Sequence, residues 1–210
     1  MHTNQIRLKA KTWMERITDD DNLWFNAIKL EDAGKYSEAF TYYLKDSAEC
    51  LKQNALVKAA LSCSCAAICL SYDGNLAAAR RLYLEAARIY EDNADFIIGE
   101  SIRESLWSLQ EAYEYYLLGG DNDKADKVYN KTLFLSRKVN PFSHDEEIMQ
   151  KMKLRKKQIE DTANVAHANL QSSHQIEEEI QKFMRLRNPN STIDNMIDNT
   201  FKNNQGRQHS

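Results

Sequence analysis

Val57, Ala60, Leu61, Ser64, Ala67, Ile68 and Tyr72 follow one another at steps of three and four residues or fewer. That rhythm places them on one face of a helix and excludes a strand, whose faces repeat every second residue. Tyr72-Asp73-Gly74-Asn75 interrupts it. Glycine accepts the positive backbone dihedral that ends a helix and turns the chain. Beyond the turn, Leu76, Ala79, Arg80, Tyr83, Ala86, Ala87 and Tyr90 resume the rhythm, so residues 55–91 read as two antiparallel helices. Ala79 and Ala86 permit close approach, and Tyr83 fills the gap between the pair. A hairpin with apolar residues on both outer sides cannot bury them alone. It needs similar neighbours, which is the logic of a solenoid.

The same register fits Ala27, Leu30, Gly34, Tyr36, Ala39 and Tyr43 upstream, and more loosely Leu109, Tyr116, Gly120, Ala125 and Tyr129 downstream. Three hairpins are therefore expected, over 22–53, over 55–92, and from near Asn93–Asp95 to Asn140-Pro141 with a turn at Gly119-Gly120-Asp121. The fold class is all-α: an antiparallel helical-hairpin solenoid followed by one long or two consecutive helices.

Gly74, Leu76, Ala79, Tyr83 and Ala86, with Ala67 and Leu70 before them, carry a resemblance to the tetratricopeptide repeat. The departures are specific. Asp46 and Thr132 replace the final Ala, and Asn122 replaces the apolar residue after the turn. Gly34, Gly74 and Gly120 stand 40 and 46 residues apart, against a usual repeat of about 34. Hairpins of this length and irregularity are similar in architecture to those of the soluble NSF attachment proteins.

Composition agrees with a helical core. Among 210 residues, 42% are hydrophobic and only six are Gly and two Pro, too few turn residues for an all-β chain. A net charge of −3 gives no electrostatic case for nucleic acid. Charged residues interrupt every apolar stretch near the N-terminus, and no run approaches the roughly 20 residues of a membrane span. Cys50, Cys63, Cys65 and Cys69 fall within helices and read as free thiols. A cytoplasmic location is the expectation.

Four segments follow from this reading: 1–21, 22–140, 141–187 and 188–210. In the first, Ile6, Ala10, Trp13, Met14 and Ile17 share a helical face, suited to capping the first hairpin or to peripheral membrane contact. Ser143-His144-Asp145-Glu146 is a capping box that starts the third segment. Within it, a heptad register puts Met149, Lys156, Ala163, Leu170, Glu177 and Met184 at one core position and Met152, Ile159, Ala166, Ser173, Ile180 and Arg187 at the other. Such a polar seam suits helices packed on the solenoid better than a homodimeric coiled coil, with a bend near Ser172-Ser173. The last segment is read as a disordered tail, interrupted by Ile193, Met196, Ile197 and Phe201 at helical spacing. These four are expected to dock on the chain's own groove or on a partner, or to stay unstructured with the rest of the tail.

No catalytic constellation emerges, and no cofactor or metal is expected. Cys63 and Cys65 diverge around their helix, and His167 and His174 stand about 10 Å apart along theirs. Phosphate loops, nucleophile elbows and zinc-protease motifs have no counterpart. Function is thus expected in a binding surface. The tetratricopeptide resemblance implies a groove lined by Trp24, Ile28, Glu31 and Asp32, by Ser64, Ile68 and Tyr72, and by Trp107, Gln110, Glu114 and Leu117. Aromatic and aliphatic anchors with acids between them suit an amphipathic or basic protein segment. The same resemblance excludes a clamp for acidic chaperone tails, because Trp24, Ile28, Cys65, Trp107 and Glu111 occupy its basic positions. The expected role is a non-enzymatic scaffold or adaptor, monomeric for preference. The alternatives are a membrane-trafficking or remodelling adaptor like the attachment proteins, coupling a helical bundle to an ATPase, and a structural homodimer through residues 144–187.

Overall fold

A computed structural model of the chain describes residues 22–139, 145–165 and 174–187, with side chains described over 22–139, 149–159 and 174–187. The expectations for residues 4–18, Asn140-Pro141, Ser143-His144, the bend near Ser172-Ser173, His167 and the segment from Asn188 onward lie outside the described residues. Eight helices are described: α1 (Leu23–Asp32), α2 (Tyr36–Lys52), α3 (Leu56–Tyr72), α4 (Leu76–Ile97), α5 (Ile102–Gly119), α6 (Asn122–Val139), α7 (Asp145–Val165) and α8 (His174–Arg187). Each of the first six packs on the next, and α8 lies against α2 and α4. The result is an all-α helical-hairpin solenoid with a strap across it.

One turn geometry is used four times. Gly34 (φ 72°), Gly74 (φ 80°) and Gly120 (φ 84°) adopt the left-handed conformation that these short hinges require, and Asn54 (φ 56°) adopts it between α2 and α3. In each case the next N–H reaches back five residues to a free helix carbonyl: Lys35 to Leu30, Ala55 to Cys50, Asn75 to Leu70 and Asp121 to Tyr116, at 2.8–2.9 Å. These bonds satisfy carbonyls that the helix end would leave bare. Gly119 has a different reason to be glycine. A Cβ there would collide with the Leu84 side chain and stand 3.2 Å from the Arg80 carbonyl oxygen, so α4 and α5 could not approach as closely.

The α4–α5 junction differs from the sequence expectation. Residues 93–97 do not open the third hairpin; they complete α4, and α5 begins after Ser101, whose hydroxyl caps the Glu104 N–H. Asn93 looks like a helix breaker, yet its amide donates to the Ser108 hydroxyl at 2.8 Å inside the core. Ser105 donates to the Ala94 carbonyl at 2.9 Å. Polar residues that bond across the interface join the two helices instead of ending one.

The core is built from small residues on α3 and large ones around it. Ala59, Ala60, Cys63, Ala66, Ala67 and Cys69 are fully buried, and Tyr43, Phe40, Leu82 and Tyr90 close over them from α2 and α4. Two of the departures from the repeat pattern have partners here. Asp46 is buried on α2 and accepts from the Ser62 hydroxyl at 2.6 Å and from the Lys58 ammonium at 3.3 Å. Thr132 donates to the Val128 carbonyl at 2.9 Å.

α8 buries Ile176, Ile180 and Phe183, spaced four and three residues apart, and its ends are fixed by charge. At one end the Arg81 guanidinium donates to both Glu177 oxygens at 2.6 Å. At the other, Arg187 pairs with Glu85 and with Asp92. The hydrogen bonds from Arg81 hold the Glu177 carboxyl below the usual carboxylate range. A carboxyl lowered on folding contributes stability above its unfolded pKa and loses it as pH falls through the folded one. Acidification below the carboxylate range is therefore expected to loosen α8 at its Glu177 end first. Hydrogen exchange of residues 174–187 as a function of pH, corrected for intrinsic rates, checks this; protection that does not decline before the solenoid unfolds would refute it.

Candidate binding groove

The leading helices of the three hairpins, α1, α3 and α5, carry the residues expected to meet a partner. α3 sets the character of the surface because it is apolar on two sides. Its small side is core, while Val57, Leu61 and Tyr72 are 38%, 41% and 66% exposed and Ile68 is half-buried. The helical spacing alone had merged the two sides, placing Val57 and Leu61 with Ala60 and Ala67. In the folded chain they separate into a packing face and an open stripe.

The flanks are aromatic. Trp24 of α1 is half-buried and meets Tyr43 edge to face at 5.1 Å, and the Tyr43 hydroxyl donates to Glu31 at 2.6 Å. Burial first, then this bond, raises the Tyr43 pKa. Ile28, like Trp24, is partly buried against the core, and Asp32 is exposed. Tyr72 leans on Tyr36 at 5.0 Å. On α5, Trp107 is 44% exposed and meets Tyr90 at 5.7 Å and 86°. Tyr90 stacks on Tyr115 at 5.7 Å and 2°, and Tyr115 stacks on Tyr83 at 6.0 Å and 14°. This ladder runs from the core to the surface.

Four of the expected groove residues are placed differently from the open stripe. Ser64 is buried and donates to the Leu61 carbonyl at 2.9 Å, and Leu117 is buried in the core. Gln110 and Glu114 face α7, where they line a cavity of about 210 Å³ with Tyr113, Lys151, Met152 and Arg155. Arg155 pairs with Glu114 at 2.9 Å, and the Tyr113 hydroxyl donates to the Met152 carbonyl at 3.3 Å. α7 thus covers the α5 end of the surface.

Three residues not singled out as ligand contacts complete the site. Tyr115, with its hydroxyl against Ser64 and Cys65 of α3, has its pKa pushed up to about 12 by burial. The Cys65 thiol, half-buried at the centre of the tyrosines, is also pushed up to about 12, by burial and then by Glu31. A thiol so far from ionising is a packing group, not a nucleophile. Glu111 lies one helical turn from both Trp107 and Tyr115, and burial raises its pKa, with Glu114 adding and Arg155 opposing. The helical spacing of Trp107, Glu111 and Tyr115 was the available signal for this third member.

Among the described residues no group of three His, Cys, Asp or Glu side chains is placed to hold a metal ion, and no helix is long and apolar enough to cross a membrane. Comparison with models of known families, with curated proteins and with solved structures gives no match.

Proposed function

We propose that this chain is a non-catalytic adaptor that binds a protein segment across α1, α3 and α5, in the manner implied by its resemblance to tetratricopeptide proteins. The observation that supports the reading most is the open stripe Val57, Leu61, Ile68 and Tyr72 between two partly exposed tryptophans. Apolar side chains left open between aromatic anchors are the composition of a binding hot spot. Met152, Ile159 and Ile180, half of the second heptad position, are buried within the single chain. That burial favours the monomeric adaptor over a homodimer joined through residues 144–187.

Trp24→Ala combined with Trp107→Ala tests the reading, because both side chains lie at the surface end of their contacts. Proteins recovered with the chain from its native cell supply the partner, whose affinity is then measured directly. Two hot-spot anchors at about 2 kcal/mol or more each would weaken binding by about 1,000-fold, with the helical circular dichroism retained. An unchanged Kd would remove the groove as the binding surface.

A further inference from the structure

Resting on that groove reading, we propose that Trp107 and Glu111 of α5 form a seat for a lysine or arginine side chain, so that the segment bound is a basic amphipathic helix. Trp107, Glu111 and Tyr115 stand at successive turns of one helix face. Trp107 leaves 44% of its surface open, its ring resting on Tyr90 of α4.

The carboxylates around the groove are not equivalent. Glu31 accepts the Tyr43 hydroxyl at 2.6 Å, and Glu114 is held by Arg155 at 2.9 Å. Glu111 is half-buried, yet among the described residues it makes no hydrogen bond or ion pair. Arg155, whose charge favours the Glu111 carboxylate, is already engaged by Glu114, which itself repels the Glu111 charge. A carboxylate partly withdrawn from water without a counter-ion is costly, and a cation brought by a ligand relieves that cost. A Trp ring next to it adds the attraction of an aromatic face for the same cation.

The surroundings select a helix over an isolated cation. α1, α3 and α5 together carry Glu31, Asp32, Glu104, Glu111 and Glu114, against only Lys29, Lys58 and Arg103. Of these three, Lys29 lies over the Phe25 ring and Lys58 pairs with Asp46. Leu61, Ile68 and Tyr72 offer the apolar side that the other face of an amphipathic helix needs. A partner with acidic residues at its centre would meet Glu111 and be rejected.

Two synthetic peptides test the assignment with the full chain: a helical peptide of leucine, alanine and lysine with leucines at i, i+4 and i+7, and the same peptide with glutamine for lysine. Fluorescence anisotropy of each labelled peptide gives its Kd. The lysine peptide is expected to bind at least about fivefold more tightly. Glu111→Gln should abolish that preference, while Glu38→Gln, an exposed residue on α2, should leave it intact. If both peptides bind equally and both are lost on Trp107→Ala, the groove stands and the cation seat is overturned. If Glu38→Gln weakens the lysine peptide as much as Glu111→Gln does, the attraction is diffuse charge and the seat is likewise overturned. Binding of neither peptide would count against the groove itself.

Discussion

Arg187→Ala is expected to destabilise the chain by about 2 kcal/mol and to free α8 before the solenoid unfolds. The Glu85 side chain is 3% exposed and shares its charge between Arg88 of its own helix, at 2.7 Å, and Arg187 of α8. Arg187 also holds Asp92 at 2.6 Å. Burial disfavours the Arg187 charge, but Glu85 and Asp92 more than offset that and raise its pKa. Removing one partner of a buried pair ordinarily costs about 3–5 kcal/mol, because the other charge is left stranded. Arg88 remains to meet Glu85, which is why the expected loss is smaller. With a urea dependence of roughly 2 kcal/mol per molar, the unfolding midpoint should fall by about 1 M. Exchange of the amides in 174–187 should quicken about 30-fold. A midpoint and an exchange pattern both unchanged would show that the ion pairs do not hold the strap.

The strap also marks where the sequence stops being legible. Its strongest contacts join Arg81 to Glu177 and Glu85 to Arg187, pairs with no local relation in a chain rich in both charges. The hinges were legible because Gly34, Gly74 and Gly120 each interrupt a helical rhythm with the residue best suited to a left-handed turn. Asn54 was not, since asparagine takes that conformation at only some of its positions. Helical spacing located α3 but could not separate Ala60 and Ala67 from Leu61, because the helix is apolar on two sides. Within the groove, positions carried over from a regular repeat found Trp24, Tyr72 and Trp107 near the surface. They could not anticipate that α7 would lie against Gln110 and Glu114, or that Ser64 and Leu117 would turn inward. Those outcomes depend on irregular packing that no single helix encodes.

Tyr90→Ala should have the largest effect of any single substitution on the groove side of α4. Its ring is 2% exposed and is held between Tyr115, stacked at 5.7 Å, and the edge of Trp107. Deleting a buried aromatic costs about 3–5 kcal/mol through lost transfer energy and the cavity left behind, and each aromatic pair adds about 0.5–1.5 kcal/mol. The margin of a whole domain is only about 5–15 kcal/mol. The urea midpoint should therefore drop by about 2 M, whereas Tyr90→Phe, which keeps the ring, should stay within about 0.5 M of the parent. The near-ultraviolet circular dichroism of Trp107 should weaken even in the folded variant, since its packed neighbour is gone. Core and binding surface share this ladder, so a ligand seated on Trp107 should raise the midpoint of the parent chain more than that of Tyr90→Ala. Equal shifts in the two would mean that Trp107 binds independently of the tyrosines beneath it.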